Sequence, residues 1–205
     1  MARIYVASSW KNDAQPDVVE KLRDEGHKVY DFRHNSHGEE TNVWTEIDPD
    51  YMSWSKEGFK AMLKTEKAMQ RFNRHLGALS DADTCVLLLP CGRSAHSEAG
   101  LMAGMGKRVI VCDLSERPFP ELMYNLFNDY VFSMEDLLAL VNAPQRGVCR
   151  ICGCTEENGC YHPLHGPCFW VDDSRTLCSH CADEDIADDP ETIHCVRDVS
   201  DEFGY

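Results

Sequence analysis

Asp83-Thr-Cys-Val-Leu-Leu-Leu-Pro-Cys-Gly-Arg-Ser-Ala-His-Ser-Glu-Ala-Gly100 is the stretch on which the fold turns. Thr84–Leu89 is apolar almost throughout rather than at alternate positions. A strand of that kind is covered on both faces, as in a parallel sheet between two layers of helices. Gly92 frees the backbone to turn, a helix is expected to open near Ala95, and Gly100 and Gly104 keep that helix thin against the sheet. A buried strand, a glycine turn and a helix in this order build the end of an α/β sheet at which ligands bind.

The same alternation extends outward over residues 1–142. Residues 4–7 read as a first strand and 16–25 as a helix, with Val18, Val19 and Leu22 on one face and Gly26 as its stop. Residues 28–32, 84–89, 108–112 and 129–132 supply four further strands, and 134–141 a last helix. Ser133 and Asp136 resemble a capping box with Asp in place of Glu. The expected fold is α/β: a five-stranded parallel sheet, flavodoxin-like and doubly wound, with strand order 2-1-3-4-5. The interval from 34 to 80 is less regular. Its aromatic, acidic piece, 44–54, reads as a lid or an oligomer contact and is followed by a helix over 56–72.

A chain of 205 residues, 43% apolar and 27% charged, suffices for one full core plus a small appendage. No apolar run approaches the roughly 20 residues of a membrane span, and the N-terminus opens into a strand rather than an apolar leader. The expectation is a cytoplasmic protein without a membrane partner. The net charge of −15 is uneven: residues 1–148 carry 17 basic and 22 acidic side chains, residues 149–205 carry 3 and 13. Neither part has the basic field that a phosphate backbone requires, which argues against nucleic acid polymer as a partner.

Within 90–106, the first helical amides with the Ser94 and Ser97 hydroxyls form a candidate anion site, and Arg93 adds a charged donor. Glu98 is expected in the first helical turn, where a carboxylate commonly does no more than complement the helix dipole. Ser94 and Ser97 serve equally as caps, and His96 as a loop donor. In strand order 2-1-3-4-5 this loop and Tyr5-Val-Ala-Ser-Ser-Trp10 flank the topological switch point. Asp31, Arg33 and His34 then form the outer rim. Convergence from three strand ends favours a functional reading of Glu98.

Tyr5-Val-Ala-Ser-Ser-Trp10 resembles the opening motif of the nucleoside 2-deoxyribosyltransferase superfamily. The run from Asp83 to Pro90, then Gly92 to Glu98-Ala-Gly100, resembles that family's strand–loop–helix with its nucleophilic glutamate. Glu121-Leu-Met123 is similar to a later segment that reaches a neighbouring subunit's site. The resemblance covers roughly residues 1–142. It implies that Glu98 attacks the anomeric carbon and that Tyr5 orients Glu98. It places Ser8, Ser9, Trp10, Asp31, Arg33, Gly92, Arg93, Ser94, His96, Ser97 and Glu121 around a nucleotide or nucleoside, in a homo-oligomer, with no cofactor for catalysis. The family's transferases grip and protonate the base with acidic residues at positions that here fall near His75 and Gly92, neither acidic. Asp31 and His96 are the candidate substitutes. Arg93 and Ser94 suggest a 5′-monophosphate, so hydrolysis is favoured over base exchange. Two rivals stand beside this reading: a Toll/interleukin-receptor-like NAD glycohydrolase, and a nucleotide sensor without catalysis.

Seven of the 11 cysteines lie between Cys149 and Cys181. Cys149-Arg-Ile-Cys152 and Cys178-Ser-His-Cys181 are two knuckles 25 residues apart, the pattern of a closed tetrahedral S4 structural zinc site. Cys154, Cys160, His162 and Cys168 either build a second site or are buried and turn residues. The expected organisation is an α/β domain over 1–142, a linker over 143–148, a zinc-binding module over 149–182 that contacts a protein partner, and an acidic tail over 183–205. His27, His34, His37 and His194 carry no functional claim and are expected to be exposed.

Overall fold

The alternation of apolar residues along each strand sorts them to two helical layers. Val86, Leu88, Ile4 and Val6 turn to one face of the sheet, Cys85, Leu87, Tyr5 and Ala7 to the other, and all are buried. The computed structural model describes residues 1–35, 38–39, 43–118, 120–144, 146–156 and 158–193. The chain divides into two compact units, Met1–Asn142 and Ala143–Tyr205.

In the first unit the elements run β1 (Arg3–Ala7), α1 (Gln15–Asp24), β2 (Lys28–Tyr30), β3 (His34–Asn35), β4 (Gly38–Glu39), α2 (Val43–Ile47), α3 (Lys56–Met62), α4 (Glu66–Asp81), β5 (Thr84–Leu89), α5 (Arg93–Gly104), β6 (Arg108–Asp113), β7 (Asp129–Val131) and α6 (Met134–Asn142). The five longer strands form one parallel sheet in the order β2-β1-β5-β6-β7, the expected 2-1-3-4-5 arrangement. Register places Tyr5 between Tyr30 and Cys85. Val18, Val19 and Leu22 of α1 and Leu137 and Val141 of α6 cover one face; Leu79 of α4 and Ala95, Ala99 and Met102 of α5 cover the other. Small Ala95 and Ala99 let α5 lie close to the strands.

Several details depart from the sequence expectation. The β2 strand stops at Tyr30, not at 32. The helix expected over 56–72 is two helices, α3 capped by the Ser55 hydroxyl, which accepts from the Gly58 amide, and α4 entered through Thr65. β3 and β4 form a small antiparallel ribbon that the sequence did not announce. His27 is buried, not exposed: its Nδ1 accepts from the Ala2 amide at 3.1 Å, and its Nε2 lies 3.0 Å from Asn142 Oδ1. His34 is exposed at the side chain, as expected; His37 and His194 lie outside the described residues. In the 44–54 piece, Trp44 stands edge-on to Trp54 at 5.8 Å, close to Phe59 and Tyr51.

The second unit has little regular structure: the hairpin β8 (Tyr161–His162) with β9 (Gly166–Pro167), and the short helices α7 (Ser179–Ala182) and α8 (Glu184–Ala187). Its core is the cysteines themselves, with Trp170 and Leu177 packed on them. As far as Ile193, which bridges to Tyr161, the acidic segment is folded onto this unit; the rest lies outside the described residues. No described helix is long and apolar enough to cross a membrane.

Candidate active site and thiol cluster

The α5 helix opens at Arg93, two residues before the expected Ala95, so Glu98 stands in its second turn rather than its first. Dipole complementation, which fades beyond the first turn, therefore gives no account of this carboxylate. Its side chain is about a fifth exposed and sits against two groups from other elements. His75 of α4 brings Nδ1 to 3.5 Å from Glu98 Oε1. Tyr5 of β1, wholly buried, brings its hydroxyl to 2.9 Å from the same Nδ1 and hydrogen-bonds to Glu98. A phenol has one proton to give. With that proton on Glu98, the imidazole donates to the phenol oxygen, giving a relay from His75 through Tyr5 to the carboxylate. Burial, then the negative field of Glu98, holds the Tyr5 phenol well above its ordinary range, so it stays a neutral donor.

Tyr30 stacks on Tyr5 at 5.1 Å and meets His75 edge-on at 6.0 Å. Burial and then Glu98 also push up the Cys85 thiol beside Tyr5 and raise that of Cys91, after β5, to about 12. The field of one carboxylate thus adds to burial at three neighbouring groups. His75 is the partner that sequence reading missed as such. The signal was present: Ala68, His75, Leu79 and Ala82 recur at helical spacing, which puts His75 on the face of α4 turned to the core.

The β1–α1 loop is held to the β5 end by polar side chains. The Ser8 hydroxyl donates to the Leu88 carbonyl at 3.0 Å, and buried Asn12 donates to the carbonyls of Leu88 and Pro90. Asn12 was not singled out from sequence: five residues beyond β1 and among other polar loop residues, nothing local marks it as buried. Ser9 Oγ accepts from the Lys11 amide, and Trp10 stands half-exposed, edge-on to Phe32 at 4.9 Å. Arg33 NH2 donates to the carbonyls of Ser9, Trp10 and Asn12. Asp31 is buried and receives Gln15 Nε2 at 2.8 Å, the Arg33 amide at 2.9 Å and His34 Nδ1 at 3.2 Å. Asp31 and Arg33 therefore shape the loop from behind.

Arg93, Ser94 and Ser97 are exposed on the first turns of α5, and Gly92 caps it without a side chain. Ser97 donates back to the Arg93 carbonyl at 3.0 Å. His96 Nδ1 lies 2.9 Å from the Gly92 carbonyl oxygen, which can only accept, so this nitrogen carries the proton. Its Nε2 then accepts from the Tyr124 hydroxyl at 3.0 Å, under a stacked pair of rings. Burial, followed by the fields of Cys91, Glu121 and Asp113, raises the Tyr124 phenol to about 12 and keeps it a donor. Glu121 caps a 3-10 turn over Leu122–Leu126, accepting from the Met123 amide, with Leu122, Met123 and Leu126 exposed. Tyr5, His75 and Glu98 thus meet directly; Asp31, Arg33 and His96 are engaged with the frame around them.

In the second unit the two knuckles are drawn together by main-chain and side-chain bonds. The Arg150 amide donates to the Thr176 carbonyl, the Gly147 amide to that of Arg175, and the Cys178 amide to Cys149 Sγ at 3.5 Å. Gly153, at φ 74°, takes the turn after the first knuckle, where any other residue is strained. The Asp172 carboxylate accepts from Ser174, Thr176 and the Leu177 amide, bonds that hold it well below the ordinary carboxylate range and fix the approach to Cys178. Cys149, Cys152, Cys178 and Cys181 place their sulfurs within 4.8 Å of one another, as do Cys152, Cys154, Cys160 and Cys178. His162 is occupied elsewhere: Nδ1 accepts from the amides of Leu164 and His165, and Nε2 lies 3.4 Å from Asp189.

No protein-family model matches this sequence, and no curated protein matches it. Among solved structures, the fold is similar to a 2-deoxyribosyltransferase from the psychrotolerant bacterium Bacillus psychrosaccharolyticus, with 20% identity and a TM-score of 0.46 over 66% of this chain and 90% of that one. It is also similar to a CMP N-glycosidase of Clostridium botulinum, at 16% identity and TM-score 0.41 over 69% and 99% of the two chains. A third, a conserved protein from Enterococcus faecalis V583, shares 18% identity and a TM-score of 0.44 over 68% and 96%. These are likenesses of architecture, and the activities in those names belong to those proteins.

Proposed function

We propose that this protein cleaves the N-glycosidic bond of a (deoxy)nucleoside 5′-monophosphate or nucleoside, with Glu98 as nucleophile and water as acceptor. The observation that carries the reading is the Glu98 carboxylate itself. It is largely buried beyond the reach of the helix dipole, and a neutral phenol and an imidazole from two other elements hold it at the sheet's ligand-binding end.

The chemistry follows from that arrangement. Leaving of the base builds positive charge on the anomeric carbon, which a carboxylate in a dry setting stabilises and then traps as a glycosyl ester. The C–N electron pair goes to the base, which takes up a proton. Water then attacks the anomeric carbon, the C–O bond to Glu98 breaks, and the proton that water sheds balances the one the base took; Glu98 returns as carboxylate. Tyr5 fixes which oxygen attacks, and His75 fixes Tyr5. Arg93, Ser94 and the amides of the first α5 turn are the donors for a 5′-phosphate. Trp10 offers a ring face for the base. A carboxylate nucleophile needs no metal for these steps.

The test is chromatographic detection of free base from a panel of ribo- and deoxynucleoside monophosphates, nucleosides and NAD, with the wild type and Glu98→Gln side by side. Release from one monophosphate or nucleoside, lost in the variant, is the expected result. Release only with an acceptor base present would replace hydrolysis by base exchange, and release from NAD alone would change the substrate class. Nucleotide binding without turnover would leave a sensor.

A further inference from the structure

We propose that the C-terminal unit holds two zinc ions in one thiolate-bridged cluster, with Cys152 and Cys178 as the shared ligands. The two four-sulfur sets overlap in those two residues: Cys149, Cys152, Cys178 and Cys181 form one, and Cys152, Cys154, Cys160 and Cys178 the other. Zinc–sulfur bonds of about 2.3 Å set the edge of a ZnS4 tetrahedron at about 3.8 Å. Cys152 and Cys178 lie 3.8 Å apart, and Cys152 and Cys160 3.4 Å, so the spacing is already that of ligands around an ion. None of the described cysteines is in a disulfide.

Among the described residues, ligand supply favours sharing: two separate S4 tetrahedra need eight thiolates, and the described part of this unit has seven cysteines, Cys195 lying outside the described residues. His162 has Nδ1 taken by two amides and Nε2 3.4 Å from Asp189, and it belongs to neither four-sulfur set. Cys168 stands at the edge: its sulfur is 3.8 Å from Cys154 and accepts the Cys160 amide at 3.1 Å, and it belongs to neither four-sulfur set. It acts as a sulfur packed against the cluster rather than a ligand. A single ion on the two knuckles would leave Cys154 and Cys160, both fully buried, as thiols pressed against thiolates. A second ion turns that crowding into bonding. Six thiols lose six protons to two Zn2+, which leaves a cluster of charge −2. An iron–sulfur cluster fits worse, because its inorganic core spreads the cysteine sulfurs apart.

The experiment uses the full chain. Zinc content by elemental analysis is expected to be two ions per chain, falling to one in Cys160→Ser and staying at two in Cys168→Ser. Replacement by 113Cd is expected to give two NMR signals split by mutual coupling through the bridging sulfurs. Because both measurements are made on the wild type, the proposal stands or falls even if a variant does not fold. One ion per chain, two uncoupled cadmium signals, bound iron, or loss of an ion in Cys168→Ser would overturn it.

Discussion

Glu98 in the second turn of α5 is the residue on which the account rests, and its neighbours decide how strongly it acts. A buried carboxylate stays reactive when donors hold one oxygen and leave the other free. Tyr5→Phe removes one hydrogen bond to a charged group, and base release is expected to fall by roughly ten- to hundredfold with little change in substrate binding. A fall in binding alone would contradict the orienting role. His75→Phe keeps the ring but not the donor. The expected result is a smaller loss of turnover than in Tyr5→Phe; turnover equal to the wild type would remove His75 from the relay. Glu98 was legible from sequence because glycine, hydroxyl and charge cluster after one buried strand. His75 was not recognised as its partner: helical spacing turns it to the core, but the pairing joins residues 23 positions apart on two helices packed on the same face of the sheet, and no local pattern records that pairing.

At the scale of elements, the sheet was legible because parallel strands buried on both faces are written as unbroken apolar runs, as in Thr84–Leu89. The break between α3 and α4 was not: Leu63-Lys64-Thr65 contains neither Gly nor Pro, and what marks it is extended backbone at Thr65, whose hydroxyl donates back to the Met62 carbonyl at 2.8 Å. The far end of α4, which carries His75, is fixed by Lys107. Its ammonium donates to the carbonyls of Leu79, Ser80 and Ala82, three groups that the helix end and the turn after it would otherwise leave to solvent. Lys107→Met is expected to cost about 1–3 kcal/mol of stability in urea unfolding. A change below about 0.5 kcal/mol would mean that this cap is idle. At α6, Ser133 accepts from the Asp136 amide, the first half of the capping box that the sequence suggested, while the Asp136 carboxylate accepts from the Ser133 hydroxyl rather than its main-chain amide.

Across the whole molecule, burial leaves several groups reluctant to ionise. Cys91 and Cys112 are raised from 9.0 to about 12, Tyr124 and Tyr130 from 10.0 to about 12, and Tyr5 is held well above 10.0. The folded chain therefore holds protons that the unfolded chain releases above pH 9. Stability from these groups is intact below that point and lost as pH rises through the folded values. The urea midpoint of the first unit is expected to fall steadily between pH 9 and 11 and to be flat from these groups between 7 and 8.5. A midpoint that rises toward pH 11 would contradict these assignments. Exposed Leu122, Met123 and Leu126 fit the proposal of a homo-oligomer. Light scattering is expected to report a dimer or larger that Leu122→Asp weakens, and a wild-type monomer would end that proposal. The chemistry assigned to Glu98 is tested most directly by free-base release from monophosphates and nucleosides by wild type and Glu98→Gln. The account predicts release by the wild type from at least one of them, reduced at least about a thousandfold in the variant while nucleotide binding persists. Equal release by both proteins would contradict it.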